Sequence, residues 1–288
     1  MSIVKILAPV TGAKRDEITL ATAFQAAKPF AAHVEVLFVH RDPREAIPYS
    51  EIPLPPDVLQ DIVDGAEEVR KQAAKAARQS FSEAISHFEV TVLEMPALLN
   101  TTTASYRETT GHLATILANA SVLSDLVVIP PLSQEGDGEV HDALVRVLTK
   151  VGRPALLCAS GKPAQLGKKV AIGWDGRDAA AKALTAAIPI LEKAETVELI
   201  SIGNVRHGNS SLAEAREYLA LHDIRCAERV VEPGPHSVAD ALLDAVRSSG
   251  GDLLVVGGYG HSRLVESIFG GVTESIMSHP TLPILMVH

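Results

Sequence analysis

A chain of 288 residues, 47% apolar and 21% charged, is long enough for two soluble domains or one large one. Its formal net charge of −9 excludes the extended basic stripe that a nucleic-acid surface needs. No apolar run reaches the roughly 18 residues of a membrane span, and Met1-Ser2-Ile3-Val4-Lys5 enters a strand-like run without a signal-peptide pattern, so a cytoplasmic protein without a membrane partner is expected.

Residues 2–10 read as the first strand, and a helix follows over about 14–28, stopped near Pro29. Residues 33–40 are β-branched and alternating enough for a second strand. Residues 41–56 hold Pro43, Pro48, Pro53, Pro55 and Pro56 and read as a loop. A long helix is expected over 57–86, where residues 71–79 are rich in good helix formers. The pattern then predicts a third strand at 88–95, a helix at 107–120, and a short buried strand at 125–129 ended by Pro130-Pro131. A helix at 140–150 and a fifth strand at 154–159 complete this half. Strands and helices alternate throughout, which implies a parallel sheet covered on both faces.

Residues 160–167, with Gly161, Pro163 and Gly167, read as a linker, dividing the chain into domains 1–160 and 161–288. The pattern then restarts with a strand at 169–174 and a helix, capped by Asp178, to about 193. A strand at 197–202, a helix at 212–221, a strand at 226–231, and a helix from the cap Ser237 to Arg247 follow. Strands at 253–256 and 282–287 close the chain. The two halves correspond residue by residue in places: Asp125-Leu126-Val127-Val128-Ile129 matches Asp252-Leu253-Leu254-Val255-Val256. Repetition on this scale is a duplication of domains, far longer than a solenoid repeat.

The most informative stretch begins at Leu253–Val256, an apolar run suited to a strand buried on both faces. Gly257, Gly258 and Gly260 follow, then nine residues, then Gly270-Gly271, Val272 and Thr273 at the start of a helical pattern. A glycine loop leading to a helix N-terminus presents unpaired amides and the positive end of the dipole, which suits phosphate.

The spacing Gly257-x-x-Gly260, nine residues, Gly270 resembles the nucleotide-binding signature of the universal stress protein family. The resemblance continues through Val272-Thr273 and the last strand, and the duplication is similar to that of tandem members. It departs at Gly271, where nucleotide-binding members carry Ser or Thr; a missing hydrogen bond to a charged group costs roughly 1.5–3 kcal/mol, or about one to two decades in affinity.

The resemblance implies an α/β fold of two doubly wound five-stranded parallel sheets, strand order 3-2-1-4-5, related by duplication. The order reverses between strands 1 and 4, and ligands of open α/β sheets bind at such a switch point. In the second half Trp174-Asp175-Gly176 and Gly257-Gly258-Tyr259-Gly260 end those two strands. The implied ligand is ATP or a related adenine nucleotide, accompanied or not by Mg²⁺, although no paired carboxylates near the glycines offer to hold the ion. Asp175, after Gly173, would face adenine or ribose; Asp-Gly is equally a turn pair, and one carboxylate can serve both ends. Gly257 and Gly260 would approach ribose and phosphates, while Gly270, Gly271, Val272 and Thr273 would hold the distal phosphates. His261 is a donor within the loop, and Ile202 matches a position whose backbone borders adenine, its side chain reading as core.

In the first half Thr11 replaces the aspartate and Pro130-Pro131 replaces Gly257-Gly258, removing amide donors. This half is expected to bind no nucleotide and to pair with the second half through strand five, an intramolecular pseudo-dimer, with a homodimer of the whole chain left open. No Walker motif, nucleophile elbow or zinc-type histidine spacing is present, so slow ATP hydrolysis is the most expected of it as an enzyme. Cys158 and Cys226 read as reduced, buried thiols. Three readings result: a stress-response protein regulated by adenine nucleotide, an interaction scaffold that binds none, and, ranked last because the glycine-serine loop of related nucleotide-consuming ligases is absent after strand one, an enzyme acting on adenine nucleotides.

Overall fold

The computed structural model describes residues 2–48, 54–97, 99–132, 138–203, 210–233, 237–258 and 280–288. In the first half β1 (Lys5–Val10) leads to α1 (Asp16–Ala27), β2 (His33–His40), a short 3₁₀ turn Pro43–Ala46, and the long helix α2 (Pro56–Phe88). Then come β3 (Thr91–Val92), β4 (Thr103–Thr110), α3 (Leu113–Ser121), β5 (Leu126–Ile129), α4 (Gly138–Val145) running into a π turn Arg146–Val151, and β6 (Ala155–Leu157). The second half runs β7 (Lys169–Gly173), α5 (Asp178–Leu191), β8 (Thr196–Ile202), α6 (Leu212–Leu221), β9 (Ala227–Val231), α7 (Val238–Ser249), β10 (Leu253–Gly257) and β11 (Ile284–Val287).

The strands form one sheet in the order β3-β4-β2-β1-β5-β6-β11-β10-β7-β8-β9. Within it β9-β8-β7-β10-β11 has the expected 3-2-1-4-5 order. The first half repeats that order as β4-β2-β1-β5-β6, with β3 added outside. All pairings within a half are parallel, whereas β6 and β11 pair antiparallel, Leu156 opposite Leu285, so the two expected sheets are fused into one. Helices α1, α2, α5 and α6 cover one face and α3, α4 and α7 the other, which is why β5 and β10 are apolar at every position.

The duplication extends to a side-chain device. The Asp125 carboxylate accepts from the amides of Val4 and Lys5 at 2.8 and 2.9 Å. Asp252 accepts likewise from Gly167, Lys168 and Lys169 at 2.8–3.2 Å. In each half a carboxylate at the foot of strand 4 pins the start of strand 1.

Four expectations are corrected. The third strand of the first half is not 88–95, which supplies only β3 at the edge, and the helix expected at 107–120 begins at Leu113. Residues 103–110 are instead β4, paired to β2 along its whole length. Threonines at 103, 109 and 110 favour extended chain. Alternation sends Ala104 and Tyr106 into the core beside Phe81 while Arg107 points to the opposite face. Asp178 does not cap α5 but is its first residue, Arg177 holding the cap position; Ser237 does cap α7, accepting from the Asp240 amide. Cys158 is buried, its thiol pushed up to about 12 by burial, whereas Cys226 is only half-buried. Among the described residues no helix is long and apolar enough to cross a membrane.

Glu35 ties its own strand β2 to β1 and β4. It is 9% exposed and meets Lys5 Nζ of β1 at 2.7 Å and Arg107 of β4 at 2.6 Å. Burial pushes its carboxyl up, but hydrogen bonds from Lys5 and Arg107 outweigh this and hold it below the ordinary glutamate value. A depressed carboxylate contributes stability above its unfolded pKa and loses it as pH falls through the folded value. Glu35→Gln should therefore cost about 1–2 kcal/mol near pH 7. In urea titrations the gap to wild type should close as pH drops below the ordinary value of 4.5; a gap constant with pH would refute the assignment.

Candidate functional site

The second half brings two strand ends together. β7 and β10 are neighbours, Val170 opposite Leu253 and Ile172 opposite Val255, and the order reverses between them. At the end of β7, Gly173 is crowded: a Cβ there would lie 3.0 Å from Leu242 and 3.1 Å from Val256. Trp174 donates its amide to Ile200 and turns its indole into the core, where its Nε1 finds no partner among the described residues.

Asp175 follows, its side chain 59% exposed. Its Oδ1 accepts from the Arg177 amide at 3.0 Å, while Oδ2 lies 3.9 Å from Arg177 Nε. The carboxylate therefore makes the turn and still faces solvent at the strand end. Gly176 takes φ of 72°, and its carbonyl accepts from the Ser210 amide, joining this loop to the approach of α6. Ser211 caps α6 through a reciprocal pair with Glu214, which fixes that approach. Ile202 is half-buried against the core face and pairs with Val231.

Gly257 has a structural task that its sequence does not reveal. A Cβ at this position would lie 2.5 Å from the backbone carbon of Ala179 and 2.6 Å from the nitrogen of Ala180. The first turn of α5 thus rests directly on β10. Gly258 donates its amide to Val287 at 2.7 Å and accepts from His288 Nδ1 at 3.2 Å, placing the terminal imidazole beside the site. This histidine carried no signal in the sequence, since only strand pairing brings residue 288 next to 258. Gly260, His261, Gly270, Gly271, Val272 and Thr273 lie outside the described residues. Among the described residues no group of three or more His, Cys, Asp or Glu side chains could hold a metal ion.

The corresponding corner of the first half is built differently. Thr11 donates through its amide and hydroxyl to Asp16 Oδ1 at 2.8 and 3.0 Å, and the Gly12 amide donates to Asp16 Oδ2 at 2.7 Å. Asp16 is fully buried, and burial raises its pKa against those three donors. The loop amides are thereby spent within the protein. Gly12 has φ of +78°, and a Cβ on it would sit 2.3 Å from the carbonyl oxygen of Ala73, so α2 lies directly on this loop.

Residues 167–288 match the model of the universal stress protein family. No curated protein matches the chain by sequence. Among solved structures, a universal stress protein from Archaeoglobus fulgidus is similar over 98% of this chain and 97% of its own, with 15% identity and a TM-score of 0.62. A putative universal stress protein from Pseudomonas aeruginosa is similar over 99% of this chain and 93% of its own, with 16% identity and a TM-score of 0.57. At such identities the likeness is one of fold, and it spans both halves. Residues 167–288 are thus similar to the universal stress protein family, and the chain as a whole shares its fold end to end with those two proteins.

Proposed function

We propose that this is a tandem universal stress protein, with domains 1–160 and 161–288, whose second domain binds ATP or a related adenine nucleotide as a regulatory ligand. The observation that carries this reading is the exposed Asp175 carboxylate at the end of β7, beside the strand that opens the Gly257-x-x-Gly260 spacing. A base or sugar hydroxyl can donate to the carboxylate while amides of the glycine segment take the phosphates. The first domain binds no nucleotide, because Asp16 consumes the donors of its first loop and Pro130-Pro131 offers none. Chemistry beyond slow hydrolysis has no support from the described side chains at this corner.

A scaffold without nucleotide is the second reading, favoured by Gly271 in place of the family's hydroxyl residue. Nucleotide released by heat from purified protein and identified by mass separates the two, together with calorimetric titration by ATP. Gly260→Val should weaken ATP binding by about a hundredfold or more, because a branched side chain holds the phosphates off the backbone. Equal affinity in the variant would remove the glycine segment from the site, and no binding at millimolar ATP in wild type would leave the scaffold.

A further inference from the structure

The first half contains a cleft of ≈ 790 Å³ at the carboxyl ends of β1 and β2. One wall is α2 from Asp61 to Ala73; the Pro43–Ala46 turn and the starts of α3 and α4 close other sides. The volume falls within the range of sites that enclose a small molecule. Among the described residues little protein supports the helix wall: the buried residues of α2 are Ala74, Ala77 and Phe81, all C-terminal to the cleft. Gly65 lies on this wall in mid-helix, where glycine costs about 1 kcal/mol relative to alanine, and a Cβ there would meet no atom of the described residues within 4 Å.

The lining settles what kind of molecule fits. Val10, Phe38, Ile62, Ala66, Leu113 and Val140 supply apolar surface from five elements. Charged groups on the wall are largely spent on one another: Arg41 meets Glu139 at 2.7 Å, Arg70 forks onto Glu67 at 2.6 and 2.8 Å, and Glu45 lies 3.4 Å from His112. An anionic ligand drawing on Arg41 or Arg70 would have to break a pair, whereas an uncharged one breaks none; Asp61 on the wall has no ion-pair partner among the described residues. Phosphate is disfavoured as well, since the amides of Thr11 and Gly12 are committed to Asp16.

We propose that this cleft binds an uncharged, largely apolar small molecule, independently of any nucleotide in the second half. The test titrates the full chain with N-phenyl-1-naphthylamine, an uncharged dye that brightens on leaving water, and in parallel with its anionic relative 8-anilinonaphthalene-1-sulfonate. Saturable binding of the neutral dye is expected, with the anionic dye about tenfold weaker. Gly65→Phe and Ala66→Phe, which fill the cleft from the helix wall, should each weaken the neutral dye by about tenfold or more while leaving the circular dichroism spectrum unchanged. No saturable binding in wild type, or wild-type affinity in both variants, overturns the site. Tighter binding of the anionic dye overturns the assignment to an uncharged ligand.

Discussion

Gly257→Ala is expected to lower the stability of the second half by about 3 kcal/mol or more, the upper range for forcing extra volume into a packed interior. Alanine is the smallest possible addition, yet its methyl would overlap the Ala179–Ala180 backbone at 2.5–2.6 Å. A helix backbone cannot step aside as the far end of a side chain can, so α5 must lift from β10 and expose the apolar face it buries. The single tryptophan, Trp174, sits in this half and reports the event by its fluorescence. With a urea slope of about 2 kcal/mol/M, the midpoint should fall by about 1.5 M. A midpoint within experimental error of wild type would mean that α5 and β10 are not in contact as described. The variant also warns that loss of nucleotide binding on mutating Gly257 carries no information about contact with phosphate, which is why Gly260 is the residue to test.

Gly12→Ala should be at least as damaging, about 4 kcal/mol. Roughly 1–2 kcal/mol comes from forcing an L-residue to a positive φ, and the rest from overlap with Ala73 of α2. The expected readout is a shift of the far-UV dichroism midpoint by about 2 M urea at the same slope. Because the sheet is continuous through β6 and β11, and one apolar cluster contains residues of both halves, the Trp174 transition should move with it. A dichroism midpoint equal to that of wild type would show that α2 does not lie on the β1–α1 loop. A Trp174 transition that stays in place would show instead that the halves unfold separately.

What could be read from the chain beforehand follows a physical pattern. Strands covered on both faces, such as β5 and β10, announce themselves as unbroken apolar runs, and the matching Asp125 and Asp252 before them betrayed the duplication. Strand β4 escaped because its outer face is polar: Arg107 answers Glu35 on β2, a partner that only folding supplies. The task of Gly257 escaped for the same reason, since the backbone it must clear lies near residue 180. At the candidate site, Asp175 was legible because Asp-Gly is a local turn signal at a strand end, and the turn is there. The buried Asp16 was not legible as the sink for the Thr11 and Gly12 amides. An acidic residue in the first turn of a helix reads as an ordinary partner of the dipole, and nothing local marks it as drawn inward.

The opposed directions of β6 and β11 have a geometric consequence for ligands. Strands of the first half end on one rim of the sheet and those of the second half on the other. The mouth beside α2 and the corner holding Asp175 therefore look away from each other, and a molecule seated in one leaves the entrance to the other open. A macromolecule docked along one rim therefore touches the strand ends of one half only.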